Sequence, residues 1–161
     1  MTQPIRVLEL RSVAGTGGGP DKTLLASATH GKGDVSLTLC YLCNEGDTVF
    51  PIGERARHMG LDYVEIRERR MIDRKAWKAL RALVRERQLD IVHGHEYKTD
   101  LLAWLLAKAE RVIPFATAHG WTGHSWKERL VYYPADKKLL ARFPRVVAVS
   151  SEIKDALVKS G

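Results

Sequence analysis

The sequence predicts a doubly wound α/β domain, a mostly parallel sheet flanked by helices. Three observations point there. Short β-branched runs alternate with helix-period segments from one end of the chain to the other. A glycine cluster, Gly15 to Gly19, follows the first of those runs. Polar loops holding histidines follow two later ones. Repeated strand–helix–strand order implies parallel strands joined by right-handed crossovers.

The elements follow in order. Ile5–Leu10 reads as a first strand, and a helix runs from about Pro20 to His30, with proline suited to its first turn. Val35–Leu42 is a second strand. A short helix covers Phe50 to Met59 and is closed by Gly60 at the position where a left-handed residue is favoured. Tyr63–Ile66 is a third strand. From Asp73 to Gln88, Trp77, Leu80, Leu83 and Val84 share one face, and Asp73 is a suitable N-cap. Ile91–His93 is a fourth strand. Thr99 or Asp100 then starts a helix containing Leu101, Leu102, Trp104, Leu105 and Leu106. Phe115–Ala118 is a fifth strand, and a helix from about Trp126 to Arg142 is interrupted near Pro134. Val146–Val149 is a sixth strand, after which Ser150 or Ser151 caps a last helix through Val158.

Length and composition bound the rest. The 161 residues make one domain with a core, 45% hydrophobic and 28% charged, in the ordinary globular range. No apolar run approaches the roughly 20 residues that span a bilayer, and Met1 to Ile5 lacks the pattern of a signal peptide. The two cysteines, Cys40 and Cys43, stand three apart in one strand and so point to opposite faces, as two buried thiols. The expected compartment is cytoplasmic. The net charge of +7 attracts phosphates of any kind without choosing among them. A nucleic-acid partner is not expected, because recognition motifs and a stacking platform are missing.

In a doubly wound sheet, ligands bind beyond the carboxyl ends of the strands. The loops that matter are therefore Gly15–Gly19, His95–Lys98, His119–His124 and Ser150–Ser151. Glycines between the first strand and first helix let backbone N–H groups approach a phosphate. The loop lacks the Gly-Lys-Ser/Thr of a P-loop, and Pro20 stands where a dinucleotide fingerprint needs its third glycine. His93-Gly94-His95 could hold a metal with Glu96, His119 or His124. A polar site for sugar hydroxyls explains the same residues, and no metal or other cofactor is expected. His93 also reads as a satisfied strand-end histidine. His119 reads as a hydrogen-bonding group near neutral pH or as a structural strand cap. Trp121 and Thr122 suit a sugar ring and its hydroxyls.

Four segments in order resemble the N-terminal domain of family-4 (group-1) retaining glycosyltransferases of GT-B architecture. Gly18-Gly19-Pro20-Asp21 is similar to the family's Gly-Gly-x-Glu loop, with aspartate in place of glutamate. Asp90-Ile91-Val92-His93-Gly94-His95 resembles its fourth strand, Thr117-Ala118-His119-Gly120 its fifth strand end, and Val146 to Glu152 its sixth strand and following turn. The resemblance implies a Rossmann-like acceptor-side domain over residues 1–161, with a donor-binding C-terminal domain absent. It implies hexose transfer from a nucleotide sugar to a glycan, lipid-linked or other small acceptor with retention, and little activity of this half alone. It implies that His119 lines the reacting centre, that Gly17, Gly18 and Gly19 approach the donor phosphates, and that His95, Glu96, Tyr97, Lys98, Trp121 and Thr122 surround the acceptor. Basic residues at Arg67–Lys78 and Lys127–Arg142, interleaved with aromatics, read either as a solvated surface or as a peripheral contact with the anionic inner face of a membrane. The competing function is a non-catalytic module binding a nucleotide or phosphate.

Overall fold

The computed structural model describes residues 3–12, 18–30, 33–46, 51–121 and 125–160. It contains β1 (Ile5–Ser12), α1 (Gly19–His30), β2 (Val35–Asn44), α2 (Pro51–His58), β3 (Tyr63–Glu68), α3 (Arg74–Glu86) and β4 (Ile91–Gly94). After these come α4 (Tyr97–Glu110), β5 (Ile113–Ala118), a π-helical turn (Glu128–Tyr132), α5 (Tyr133–Leu140), β6 (Val146–Ala148) and α6 (Ser151–Val158). The strands form one sheet of order β3-β2-β1-β4-β5-β6, every pair parallel. The order reverses between β1 and β4. The loops leaving those two strands therefore diverge and open a crevice at their carboxyl ends.

Side-chain alternation divides the core between the two faces of the sheet. Along β2, Cys40 and Leu42 face a large core with Leu8, Leu10, Val92, Ala116 and the apolar faces of α3 and α4. Leu39, Tyr41 and Cys43 face a smaller core with Leu24 and Leu25 of α1 and Ile52 and Ala56 of α2. The two cysteines are not joined in a disulfide and lie in different cores, as their spacing requires.

Local chemistry sets the element ends. The Asp73 carboxylate accepts from the N–H groups of Lys75 at 2.7 Å and Ala76 at 3.2 Å, and starts α3. Ser150 does the same for α6 through the Ile153 N–H. α4 begins earlier than expected, at Tyr97 with Glu96 as N-cap, rather than at Thr99 or Asp100. The Thr99 hydroxyl accepts from the backbone N–H groups of His95 and Glu96, so it serves the capping turn from its third position. The expected interruption near Pro134 is a π turn, in which the Tyr133 N–H reaches back to the Glu128 carbonyl. Proline has no N–H to continue an α-helical ladder there.

Candidate functional site

β1 carries the residues that the sequence reading missed. Leu8 and Leu10 point into the large core, so Glu9 and Arg11 point to the opposite face. Charged side chains at alternating positions of a central strand were the available signal, since such strands are normally apolar on both faces. Glu9 stands beside His93 in the β1–β4 register. Its Oε2 lies 2.8 Å from His93 Nδ1 and 2.7 Å from His95 Nε2. His93 Nε2 lies 2.8 Å from the Thr117 hydroxyl, and His95 Nδ1 lies 3.3 Å from His119 Nε2.

One proton arrangement satisfies all of these contacts. An ionised Glu9 accepts from His93 Nδ1–H and His95 Nε2–H. In the neutral tautomers the other nitrogen of each ring accepts, from Thr117 O–H and from His119 Nε2–H. With His95 and His119 neutral, His119 is left with Nδ1 as its acceptor. The electrostatics agree. Burial opposes the charge on Glu9, but the hydrogen bonds from both histidines outweigh it and hold the carboxyl at about 2. Burial lowers His95. Burial and the neighbouring His95 lower His119 to about 4, so His119 is neutral at physiological pH.

Arg11 ties together the loops on either side of the crevice. Its guanidinium donates to Asp21 Oδ1 at 2.9 Å and Glu96 Oε2 at 2.8 Å. Asp21 is buried and also accepts from the Tyr41 hydroxyl at 3.0 Å and the Gly18 N–H at 2.6 Å. Burial opposes its ionisation, yet Arg11 and the Gly18 amide lower its pKa overall. The aspartate that departs from the family pattern therefore anchors the end of the glycine loop. Glu96 accepts from the Ser12 N–H at 2.9 Å as well as from Arg11. Burial pulls the Glu96 carboxyl up to about 7, although its side chain is 22% exposed. A guanidinium and an amide within 3 Å favour the ion, and the geometry fits the ionised form.

His119 follows the end of β5 and lines a hollow of about 160 Å³ with Arg11, His95, Glu96, Tyr97 and Trp121. Gly120 adopts φ +106° behind it, close to Ile153 of α6. The Trp121 indole N–H donates to Asp136 Oδ2 at 3.0 Å, and the Lys137 ammonium lies 4.5 Å from its ring centre. Tyr97 stacks on Tyr132 at 5.3 Å. On the floor, burial raises both Asp100 and Asp136, and each leaves one buried carboxyl oxygen without a protein partner. Gly94 has no room for a Cβ, which would collide with the Asp100 carboxyl and backbone.

Of the residues singled out from sequence, His95, Glu96, Tyr97, His119 and Trp121 thus converge on one hollow. Gly18 and Gly19 are not among its lining residues; they stand directly before Pro20, which is, at the start of α1. Lys98 does not join them. It pairs with Glu68 and lines a separate hollow between α3 and α4. Gly17 and Thr122 lie outside the described residues. The group among the described residues that could hold a metal ion is Glu9, His93 and His95, with ligand atoms within 4.8 Å of one another. Its carboxylate is therefore Glu9 rather than Glu96, and every one of those ligand atoms is already engaged by a hydrogen bond.

Among the described residues no helix is long and apolar enough to cross a membrane. No curated protein matches the chain in sequence. Solved structures share its fold. They include the lipopolysaccharide outer core galactosyltransferase WaaB in its apo form, at TM-score 0.70 and 13% identity over 98% of this chain and 43% of that one. The UDP-GlcNAc 2-epimerase from Neisseria meningitidis bound to UDP-GlcNAc matches at TM-score 0.64 and 12% identity, over 96% and 43%. MurG of Acinetobacter baumannii matches at 0.57 and 12%, over 90% and 41%. At these identities the likeness is one of fold, the Rossmann-like α/β unit of GT-B proteins. Among seven such solved chains, this chain spans between 41% and 46% of the length of each. In sequence, residues 27–161 match the family model described as Glycosyltransferase Family 4. That match extends over most of the chain, which belongs to glycosyltransferase family 4.

Proposed function

We propose that these residues form the N-terminal, acceptor-side half of a glycosyltransferase that moves a hexose from a nucleotide sugar to a sugar or lipid-linked acceptor with retention of configuration. The carrying observation is the hydrogen-bonded chain Glu9–His95–His119, which ends in a crevice at the point where strand order reverses. A neutral His119 whose Nε2–H is engaged by His95 offers Nδ1 to a sugar hydroxyl near the reacting centre. The Gly19 N–H, at the amino end of α1, faces the donor diphosphate, where charge develops as it leaves, while the Gly18 N–H holds the loop end to Asp21. Trp121 and Tyr97 provide flat apolar faces for a sugar ring.

One wall of a cleft positions only one reactant, so the donor is held by a second domain. The coverage of less than half of each similar structure supports this reading. So does the exposure of Val147, Val149 and Val158 on and beside β6 and α6, apolar side chains suited to a partner domain. The 161-residue chain alone is then inactive, and it works near the inner face of a membrane when its acceptor is lipid-linked. The test is transfer of a labelled hexose by a longer chain that carries the donor domain, with product anomers read by NMR. Transfer that is abolished by His119→Ala and keeps the donor's anomeric configuration supports the proposal. Inverted product would overturn retention.

A further inference from the structure

Away from the His119 hollow, an apolar slot of about 300 Å³ lies between α3 and α4, lined by Met71, Trp77, Leu80, Leu101 and Leu105 among others. Apart from Asp73 and the Glu68–Lys98 ion pair, every side chain lining it is apolar. The slot offers water few hydrogen-bond partners. Met71 and Leu101 also line a second hollow of about 390 Å³, floored by Trp104 and Leu139. Tyr97 and Asp136 line both that second hollow and the one at His119. The three hollows are therefore neighbours along α4, each sharing lining side chains with the next.

Charge marks the outer end of the slot. Ile72, 70% exposed, and Asp73 line both the slot and an adjoining surface hollow whose other lining residues are Arg69, Arg70, Arg74 and Lys75. Arg69 pairs with Glu45, while Arg70, Arg74 and Lys75 have no ion-pair partner among the described residues. Lys138 and Arg142 border the second hollow. The slot and the second hollow that adjoins it are largely apolar and their borders cationic, which is complementary to a hydrocarbon chain carrying an anionic head. A soluble glycan would fit the His119 hollow but would leave the slot empty.

We infer that the α3–α4 slot and its extension past Met71 and Leu101 bind the hydrocarbon chain of a phosphate-bearing lipid. The inference rests on the transferase reading only in naming that lipid as the acceptor. A soluble acceptor would leave the transferase reading standing and remove this one.

The probe is a series of n-alkyl phosphates from six to twelve carbons, each below its micelle-forming concentration, titrated into the 161-residue chain. Binding is read by calorimetry and by quenching of Trp77 and Trp104 with a chain brominated at its end. Affinity should rise roughly three- to fourfold per added methylene while the chain is being buried. Quenching should fall in Trp77→Phe. Replacing Arg70, Arg74 and Lys75 by glutamate should weaken dodecyl phosphate about tenfold without weakening dodecyl maltoside. Those residues flank or begin α3, where acidic side chains are compatible with the helix. Affinity independent of chain length, or equal binding of inorganic phosphate, would reduce the site to an anion patch and overturn the inference. So would sedimentation with anionic vesicles in the absence of alkyl phosphate binding, since that pattern describes a surface contact and no slot.

Discussion

Acidification from pH 7 to pH 4.5 should destabilise the fold through His119, with His95 acting in the same sense. Its pKa is lowered from an ordinary 6.5 to about 4 by burial and by His95. A histidine depressed in the folded state favours the neutral form there. Its contribution is therefore complete above the unfolded pKa and is lost as pH falls from about 6.5 toward 4. At about 1.4 kcal/mol per unit the whole window is worth roughly 3 kcal/mol, and stopping at pH 4.5 leaves most of it. His119 is only partly buried, so solvent screening reduces the expected loss to about 2 kcal/mol. Glu9 occupies a different window. Its carboxyl is depressed to about 2, and its contribution persists down to about pH 4.5 and fades only below that. Asp100 and Asp136 are raised and act in the opposite sense, favouring the fold at low pH. Comparing wild type with His119→Asn cancels these shared contributions. Urea unfolding at pH 7.0, 6.0, 5.0 and 4.5 should show wild type losing about 2 kcal/mol more than the variant. Parallel curves would refute the reasoning.

Other expectations follow from the same geometry. Arg11→Met leaves Asp21 and Glu96 without their shared cation in a mostly buried setting and should cost about 3 kcal/mol in urea unfolding. Gly94→Ala drives a Cβ into Asp100 and should cost about 2 kcal/mol, seen as a lowered Tm. Long-range ¹⁵N–¹H spectra should show His119 as the Nε2–H tautomer at pH 7, and Glu9→Gln should disturb that assignment because the amide can donate to His95 as well as accept from it.

The sheet was readable in the sequence because each buried parallel strand is a short apolar run between helix-period segments. Ile91–Val92 and Val146–Val147 needed no tertiary information. The start of α4 was misplaced because Thr99 is a strong capping type at the wrong register. Only the positions of the His95 and Glu96 amides show that its hydroxyl acts from the third helical position. The site was half legible. His95 and His119 stand at strand ends, where topology confers meaning on a polar residue. Glu9 and Arg11 were passed over because apolar neighbours made their strand readable without them. Their partners lie far away in sequence, Glu9 and His95 standing 86 positions apart. Lys98 was grouped with its sequence neighbours. A helix turns about 100° per residue, and that sends Lys98 toward Glu68 while Tyr97 stays at the hollow.

The central claim is that His119 serves glycosyl transfer in a cleft that this half alone does not complete. The most direct test is a single radiolabelled transfer assay over a panel of nucleotide sugars and acceptors. It compares residues 1–161, the longer chain with its donor domain, and that longer chain carrying His119→Ala. The account predicts turnover by the longer chain only, reduced at least a hundredfold by the substitution while the protein stays folded. Steady turnover by residues 1–161 alone, or full activity of the His119→Ala enzyme, would contradict it.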